Sequence, residues 1–152
     1  MGRGDRRLVE PFLRTLKDIP LFEGLDEAER QRLEASCQWR NYRAGQQVIE
    51  SGSEGTEVFF ILSGAVNIIN FSPSRREISF ATARHGDYFG ELAAIDGLPR
   101  SASAVAADDC FLAALPSNMF VSLLKRRVEV TFRVLQGLAH MVRTSDVRIM
   151  EL

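Results

Sequence analysis

Apolar residues change their spacing twice along the chain. Leu8, Phe12, Leu13 and Leu16 fall on one face of a short helix over Arg7–Leu16, which must stop before Pro20. Asp26 followed by Glu29 has the spacing of a capping box, in which Asp26 accepts from the backbone and Glu29 reaches back. A second helix is therefore expected from Glu27 to about Cys37, with Ala28 and Leu33 on its inner face. Between Trp39 and Leu115 the spacing shortens. The runs Gln47–Ile49, Val58–Leu62, Ala65–Ile69 and Cys110–Ala113 are separated by glycines at 45, 52, 55, 64, 86, 90 and 97. Short strands with turn residues between them predict a small all-β sandwich, roll or barrel. Ser63-Gly64 reads as a hairpin turn, and Ser72 to Arg76 as a polar hairpin tip.

After Pro116 the helical period returns. Ser117 is placed to cap a helix through about Lys125. Val128, Leu135, Val142 and Ile149 then recur every seven residues, and Thr131, Leu138, Ser145 and Leu152 stand three further on. Such a stripe is either the seam of a two-stranded coiled coil or a face packed on the domain's own core.

Composition narrows the function classes. With 152 residues, 45% hydrophobic and 26% charged, the chain has the make-up of one globular domain. A formal net charge of -1 gives no general attraction for nucleic acid, and the cluster Arg3, Arg6, Arg7 contains Asp5 and reads as a solvated tail. No apolar run approaches the roughly 18 residues a bilayer span needs. The start lacks a secretory pattern, and Arg6 stands where a myristoylation signal needs Ser or Thr. These observations predict a cytoplasmic protein without membrane attachment. Cys37 and Cys110 read as small buried hydrophobes. His85 and His140 are too isolated for a metal site, and no Ser or Cys stands beside a histidine as an activated nucleophile would. Neither a metal, a cofactor nor an enzymatic activity is expected. Asn70-Phe71-Ser72 and Arg3-Gly4-Asp5 are chance motifs in this setting.

The segment from Phe89 to Ser103 carries chemistry. Gly90 permits a sharp turn out of a strand and close backbone approach. Glu91 to Ile95 can form one helical turn whose first N–H groups have no internal partners, which is an anion site by construction. Arg100 can meet a phosphate with a two-pronged, charge-assisted contact, and Ser101 adds a hydroxyl. Glu91 suits such a ligand only if it also offers hydroxyls, as a ribose does.

Gly90-Glu91-Leu92-Ala93 followed by Pro99-Arg100-Ser101-Ala102 resembles the phosphate-binding cassette of the cyclic-nucleotide-binding domain family. In that family stand the catabolite-activator-type bacterial transcription regulators, the group this chain resembles most. Ile19-Pro20-Leu21-Phe22, Ala44-Gly45-Gln46 and Phe59 to Gly64 resemble the family's first helix entry, first turns and central hairpin, so the likeness covers nearly the whole chain. It implies an α+β fold: an antiparallel β-roll (a jelly-roll-like double-stranded barrel) with N-terminal helices and a long C-terminal helix. One domain over 1–152 follows, with a helical lead-in over 1–37, a β-roll over 38–115 holding the cassette at 89–103, and C-terminal helices over 116–152.

The resemblance also implies a ligand, cAMP or cGMP, and roles for residues. Glu91 accepts the ribose 2′-hydroxyl, Arg100 pairs with the phosphate's exocyclic oxygens, and Gly90, Leu92, Ala93, Ser101 and Ala102 complete the cradle. Thr144-Ser145 stands where a Thr-Ser pair touches the base across two subunits, or else is a polar break in the helix seam. Ser103 replaces the family's usual threonine, and Ser101 is compatible with either base. Implied partners are the nucleotide, a second copy of the chain along the C-terminal helix, and DNA only through an output domain expected beyond Leu152. The nucleotide would join the roll to the exit helix and so regulate transcription. A cyclase, kinase or channel regulator, or a cassette that has lost its ligand and serves dimerisation, is the alternative.

Overall fold

Phe59 and Phe60 are neighbours in one strand yet belong to different cores. The computed structural model describes residues 14–71 and 78–150. Among these, β1 (Gln38–Tyr42), β8 (Cys110–Leu115), β3 (Val58–Ser63) and β6 (Tyr88–Phe89) lie side by side in that order as one antiparallel sheet. The second antiparallel sheet has the order β2 (Gln47–Ile49), β7 (Ser103–Ala106), β4 (Ala65–Phe71), β5 (Ile78–Arg84). Central strands β3 and β8 are covered on both faces, so they read as unbroken apolar runs. Phe59, Ile61, Leu112 and Ala114 face the second sheet, with Val66, Phe89 and Ala104. Val58, Phe60, Ala113 and Leu115 face the helices, with Leu33, Phe120, Leu123, Val130 and Val134. The fold is thus an antiparallel β-roll of two four-stranded sheets with helices against one of them, as the sequence implies.

The link at Ser63-Gly64 is not a hairpin. β3 pairs with β6 and β8, whereas β4 pairs with β5 and β7, so this corner carries the chain from one sheet to the other. Gly64 has φ +88, and a Cβ there would overlap the Asp109 carbonyl oxygen and stand 2.5 Å from Cys110 Cβ. Only glycine fits so tight a corner. β4 and β5 do form a hairpin, from Ala65 opposite Arg84 to Phe71 opposite Ile78. Its expected tip at Ser72 to Arg76 lies outside the described residues.

The lead-in differs from expectation in detail. Arg14 to Leu16 are not helical, and most of the helix expected over Arg7–Leu16 lies outside the described residues, as does the Arg3, Arg6, Arg7 cluster. A 3₁₀ turn occupies Pro20–Phe22, and α1 spans Glu27–Ser36. Asp26 caps α1 by accepting from the Glu29 N–H at 2.8 Å. Glu29 does not reach back. Its carboxylate is buried and takes Arg126 and Arg127 instead, with Arg127 Nε at 2.8 Å and Nη2 at 2.6 Å. Two guanidiniums outcompete one backbone N–H for a buried carboxylate. The inner face of α1 is accordingly Glu29 and Leu33, and Ala28 is exposed.

After β6 come α2 (Glu91–Asp96), then β7 and β8, then α3 (Ser117–Arg126) and α4 (Val128–Met150). Ser117 is not the cap of α3; Pro116 holds that position, and the Ser117 hydroxyl accepts from Thr56 Oγ1 at 3.1 Å. α4 packs one face on its own core and leaves another exposed in this chain. Val130, Val134 and Leu138 pack on the helical core, while Val128, Phe132, Leu135 and Val142 are 81%, 58%, 54% and 54% exposed. Both thiols are free, and burial pushes Cys37 up to about 12 and Cys110 up to about 11. No helix among the described residues is long and apolar enough to cross a membrane.

Candidate functional site

A cavity of about 650 Å³ opens between the second sheet, α2 and the far half of α4. β6 delivers Phe89 to its edge, stacked on Phe59 at 5.2 Å, and Gly90 turns the chain into α2 with φ +89. Any Cβ at Gly90 would approach Arg100 Nη1 to 2.9 Å and the Glu57 carbonyl oxygen to 3.0 Å. This glycine is what lets a guanidinium lie against the backbone.

Arg100 is fixed from every side but one. Its N–H donates to the Ser53 carbonyl at 2.9 Å, and its own carbonyl accepts from Gly52 N–H at 2.8 Å. Nη1 donates to the Gly90 carbonyl and Nη2 to the Glu57 carbonyl, each at 2.9 Å. The guanidinium lies over the Phe59 ring, 5.9 Å from its centroid, and Gly55 leaves room beside it. The residue is only 6% exposed, yet no carboxylate among the described residues forms an ion pair with it. Glu57 carries the relevant charge, but its carboxylate is taken by Arg40 at 2.8 Å. Burial therefore lowers the pKa of Arg100, with the charge of Glu57 opposing. A buried cation held by neutral carbonyls is an electrostatic vacancy for an anion.

Glu91, the first residue of α2, is also buried, and desolvation raises its pKa, opposed by its own backbone N–H. The free N–H groups of this first turn, around Leu92 and Ala93, sit on the cavity wall with Arg100, Ser101 and Ala102. Ser103 lies beneath them, its hydroxyl accepting from Ser51 N–H at 2.9 Å. On the opposite side α4 contributes Met141 and Thr144, and the Thr144 hydroxyl donates to the Met141 carbonyl at 2.9 Å. Ser145 continues the helix, but its side chain lies outside the described residues. The structure therefore brings Gly90, Glu91, Leu92, Ala93, Arg100, Ser101, Ala102 and Thr144 to one cavity.

Residues that sequence reading missed form the rest of the wall. Ile49, Ile68, Ala104 and Ala81 make an apolar floor, and Tyr88 and Asn70 bring polar atoms. They come from five strands, each carrying one or two contributors, so no local motif gathers them. Only the period-two alternation of β4, which puts Ile68 and Asn70 on one face, hinted at part of it.

Among the described residues, a buried arginine with no carboxylate ion-pair partner thus faces a short helix start on a cavity bounded by a β-roll and a long helix. The sequence profile of the cyclic nucleotide-binding domain matches residues 39–127, and the chain belongs to that family. It is 40% identical over 102 residues to a cAMP-dependent protein kinase regulatory subunit of Mycosarcoma maydis, covering 67% of this chain and 19% of the relative. The catabolite activator protein of Thermus thermophilus matches with a TM-score of 0.74 and 30% identity, over 88% of this chain and 62% of that one. The regulatory subunit of a cAMP-independent protein kinase A from Trypanosoma brucei matches with a TM-score of 0.75 and 26% identity, over 97% and 54%. The chain thus spans less than two thirds of the length of each. Its relatives include both a cAMP-dependent protein kinase regulatory subunit and a catabolite activator protein.

Proposed function

We propose that this chain is a non-enzymatic sensor domain that binds cAMP or cGMP and passes the binding event on through α4. The observation that carries the reading is Arg100, buried, carbonyl-held and without a carboxylate ion-pair partner among the described residues. A cyclic phosphate supplies the missing negative charge, and the first turn of α2 adds backbone donors to its oxygens. Glu91, on the same wall, accepts the ribose 2′-hydroxyl, which favours the ionised carboxylate against its burial. The base then lies toward Met141 and Thr144 on α4, with Ser145 reached from a second copy. One ligand touches roll and helix together, so it favours whichever arrangement sets both around it.

In this reading the domain occupies the whole of 1–152, and the apolar stripe on α4 is covered by a second copy of the chain. Transcriptional control is the first choice because the Thr144-Ser145 pair and the heptad fit that branch. Control of a kinase has support from the 40% identical relative. Likeness to a cAMP-independent subunit favours a third reading, in which the pocket takes no cyclic nucleotide.

Calorimetric titration with cAMP and then cGMP tests the proposal. Saturable binding of either supports the sensor, and recovery of unaltered nucleotide after overnight incubation supports the absence of catalysis. Arg100→Ala should weaken binding by about 2–5 kcal/mol, the usual cost of stranding a buried charged partner. Equal binding by that variant would reject the site.

A further inference from the structure

Gly137 stands mid-helix in α4, where alanine would favour the helix by about 1 kcal/mol. An ideal Cβ at that position would come within 3.3 Å of the Tyr88 hydroxyl oxygen, tighter than ordinary packing. The glycine therefore leaves a notch in the helix, and a phenol from β6 fills it. Gly137, Met141 and Thr144 follow one another at i, i+4 and i+7, so they share a face, and the last two line the cavity. Tyr88 lines the same cavity, and its ring rests on the buried Phe60, 5.9 Å centroid to centroid.

The notch sits at a boundary within α4. Before it the helix is anchored: Val130 and Val134 are buried, and Arg133 Nη1 donates to the Leu21 carbonyl at 3.0 Å and the Glu23 carbonyl at 2.7 Å. Beyond Leu138, Met141 and Thr144 line the cavity, and Met141, Val142 and Thr144 are exposed. Tyr88 therefore lies beside the point where α4 begins to line the pocket. It is also electrically close to Glu91, whose charge adds to burial in pushing the phenol up to about 12.

We infer that Tyr88 is a positioning residue that sets how far α4 closes over the pocket, and that Gly137 lacks a side chain so that the helix can seat on the Tyr88 oxygen. The inference rests on the binding reading above and adds to it the coupling between β6, which leads into Glu91, and the covering helix. A side chain at position 137 lifts the Met141–Thr144 segment away from the ligand and weakens binding, although it strengthens the helix itself.

The test is a two-residue cycle on the full 152-residue chain, with Gly137→Ala, Tyr88→Phe and the double variant titrated with cAMP and with cGMP. Melting is followed in parallel. Gly137→Ala should melt no lower than wild type yet bind about fivefold more weakly or worse. Tyr88→Phe removes the oxygen but keeps the ring, and in that background Gly137→Ala should change affinity by no more than about twofold. Equal losses in both backgrounds, or unchanged or tighter binding by Gly137→Ala, would overturn the inference while leaving the sensor reading intact. A wild-type chain that takes up neither nucleotide would overturn the sensor reading and this inference together.

Discussion

At Arg100 the chain sets a permanent cation inside protein and holds it with dipoles. Two carbonyls, a phenylalanine ring and the nearby charge of Glu57 offset part of the burial cost, and Arg100 lines the cavity. The same ring is shared: Arg40 lies 5.8 Å from the Phe59 centroid and holds the Glu57 carboxylate. The pairing with Arg40 keeps that carboxylate from neutralising Arg100. In the proposed reading Glu91 is the complementary residue, a buried acceptor for a ribose hydroxyl. Glu91→Gln should lower cAMP affinity by about 1–3 kcal/mol but change the affinity for 2′-deoxy-cAMP far less, because the lost acceptor then has no donor to strand. Equal losses on both nucleotides, measured side by side by calorimetry, would remove Glu91 from the ribose.

Among elements, the buried Glu29 does for the helices what Arg100 does for the pocket, but with its charges paired. It ties α1 to the junction of α3 and α4 from 97 and 98 positions away. The hydrogen bond from Arg127 is the chief cause of its depressed pKa, with burial opposing and Arg126 adding to the depression. A carboxylate whose folded pKa is lowered contributes stability that is complete above its ordinary value of 4.5 and is lost as pH falls through the lowered one. Glu29→Gln should therefore cost about 2–3 kcal/mol at neutral pH, less than a fully buried pair because both arginines reach solvent. The difference between wild type and variant should shrink in acid melts from about pH 4.5 downward.

The same residue marks where sequence reading stops. Asp26 was readable as a cap because its partner is three residues away; the fate of Glu29 depended on arginines nearly a hundred residues on. Strands β3, β4 and β8 stood out through their apolar runs, and Gly90 to Ala93 with Arg100 stood out because one short segment holds them all. Sheet partnership is another matter. Two apolar runs joined by Ser63-Gly64 look alike whether they pair with each other or part into two sheets, and only the close approach of Asp109 and Cys110 separates the cases. The apolar floor of the pocket was hidden for the same reason, since Ile49, Ile68 and Ala104 meet only once both sheets are assembled.

At the scale of the whole molecule, most of the exposed large hydrophobics among the described residues lie on α4. Val128, Phe132, Leu135 and Val142 face outward while Val130, Val134 and Leu138 satisfy the core, so the helix has one face for its own domain and one to spare. Covering that stripe with its copy is the economical arrangement for a heptad. Sedimentation equilibrium should find a dimer, and Leu135→Glu should yield a monomer with an unchanged melting temperature at low concentration. A wild-type monomer at high concentration, with and without nucleotide, would remove the dimer from the proposed function.

Finally, the two sulfurs make movement of the covering helix easy to watch. With thiol values near 11 and 12, only about one part in a thousand or less of either cysteine is thiolate at pH 8. Alkylating dyes attack the thiolate, so the native chain is a nearly silent background for them. A single exposed cysteine introduced by Arg143→Cys, off the apolar stripe, would carry a fluorophore on the far half of α4, and its emission could report the arrival of a ligand in real time without first replacing Cys37 or Cys110.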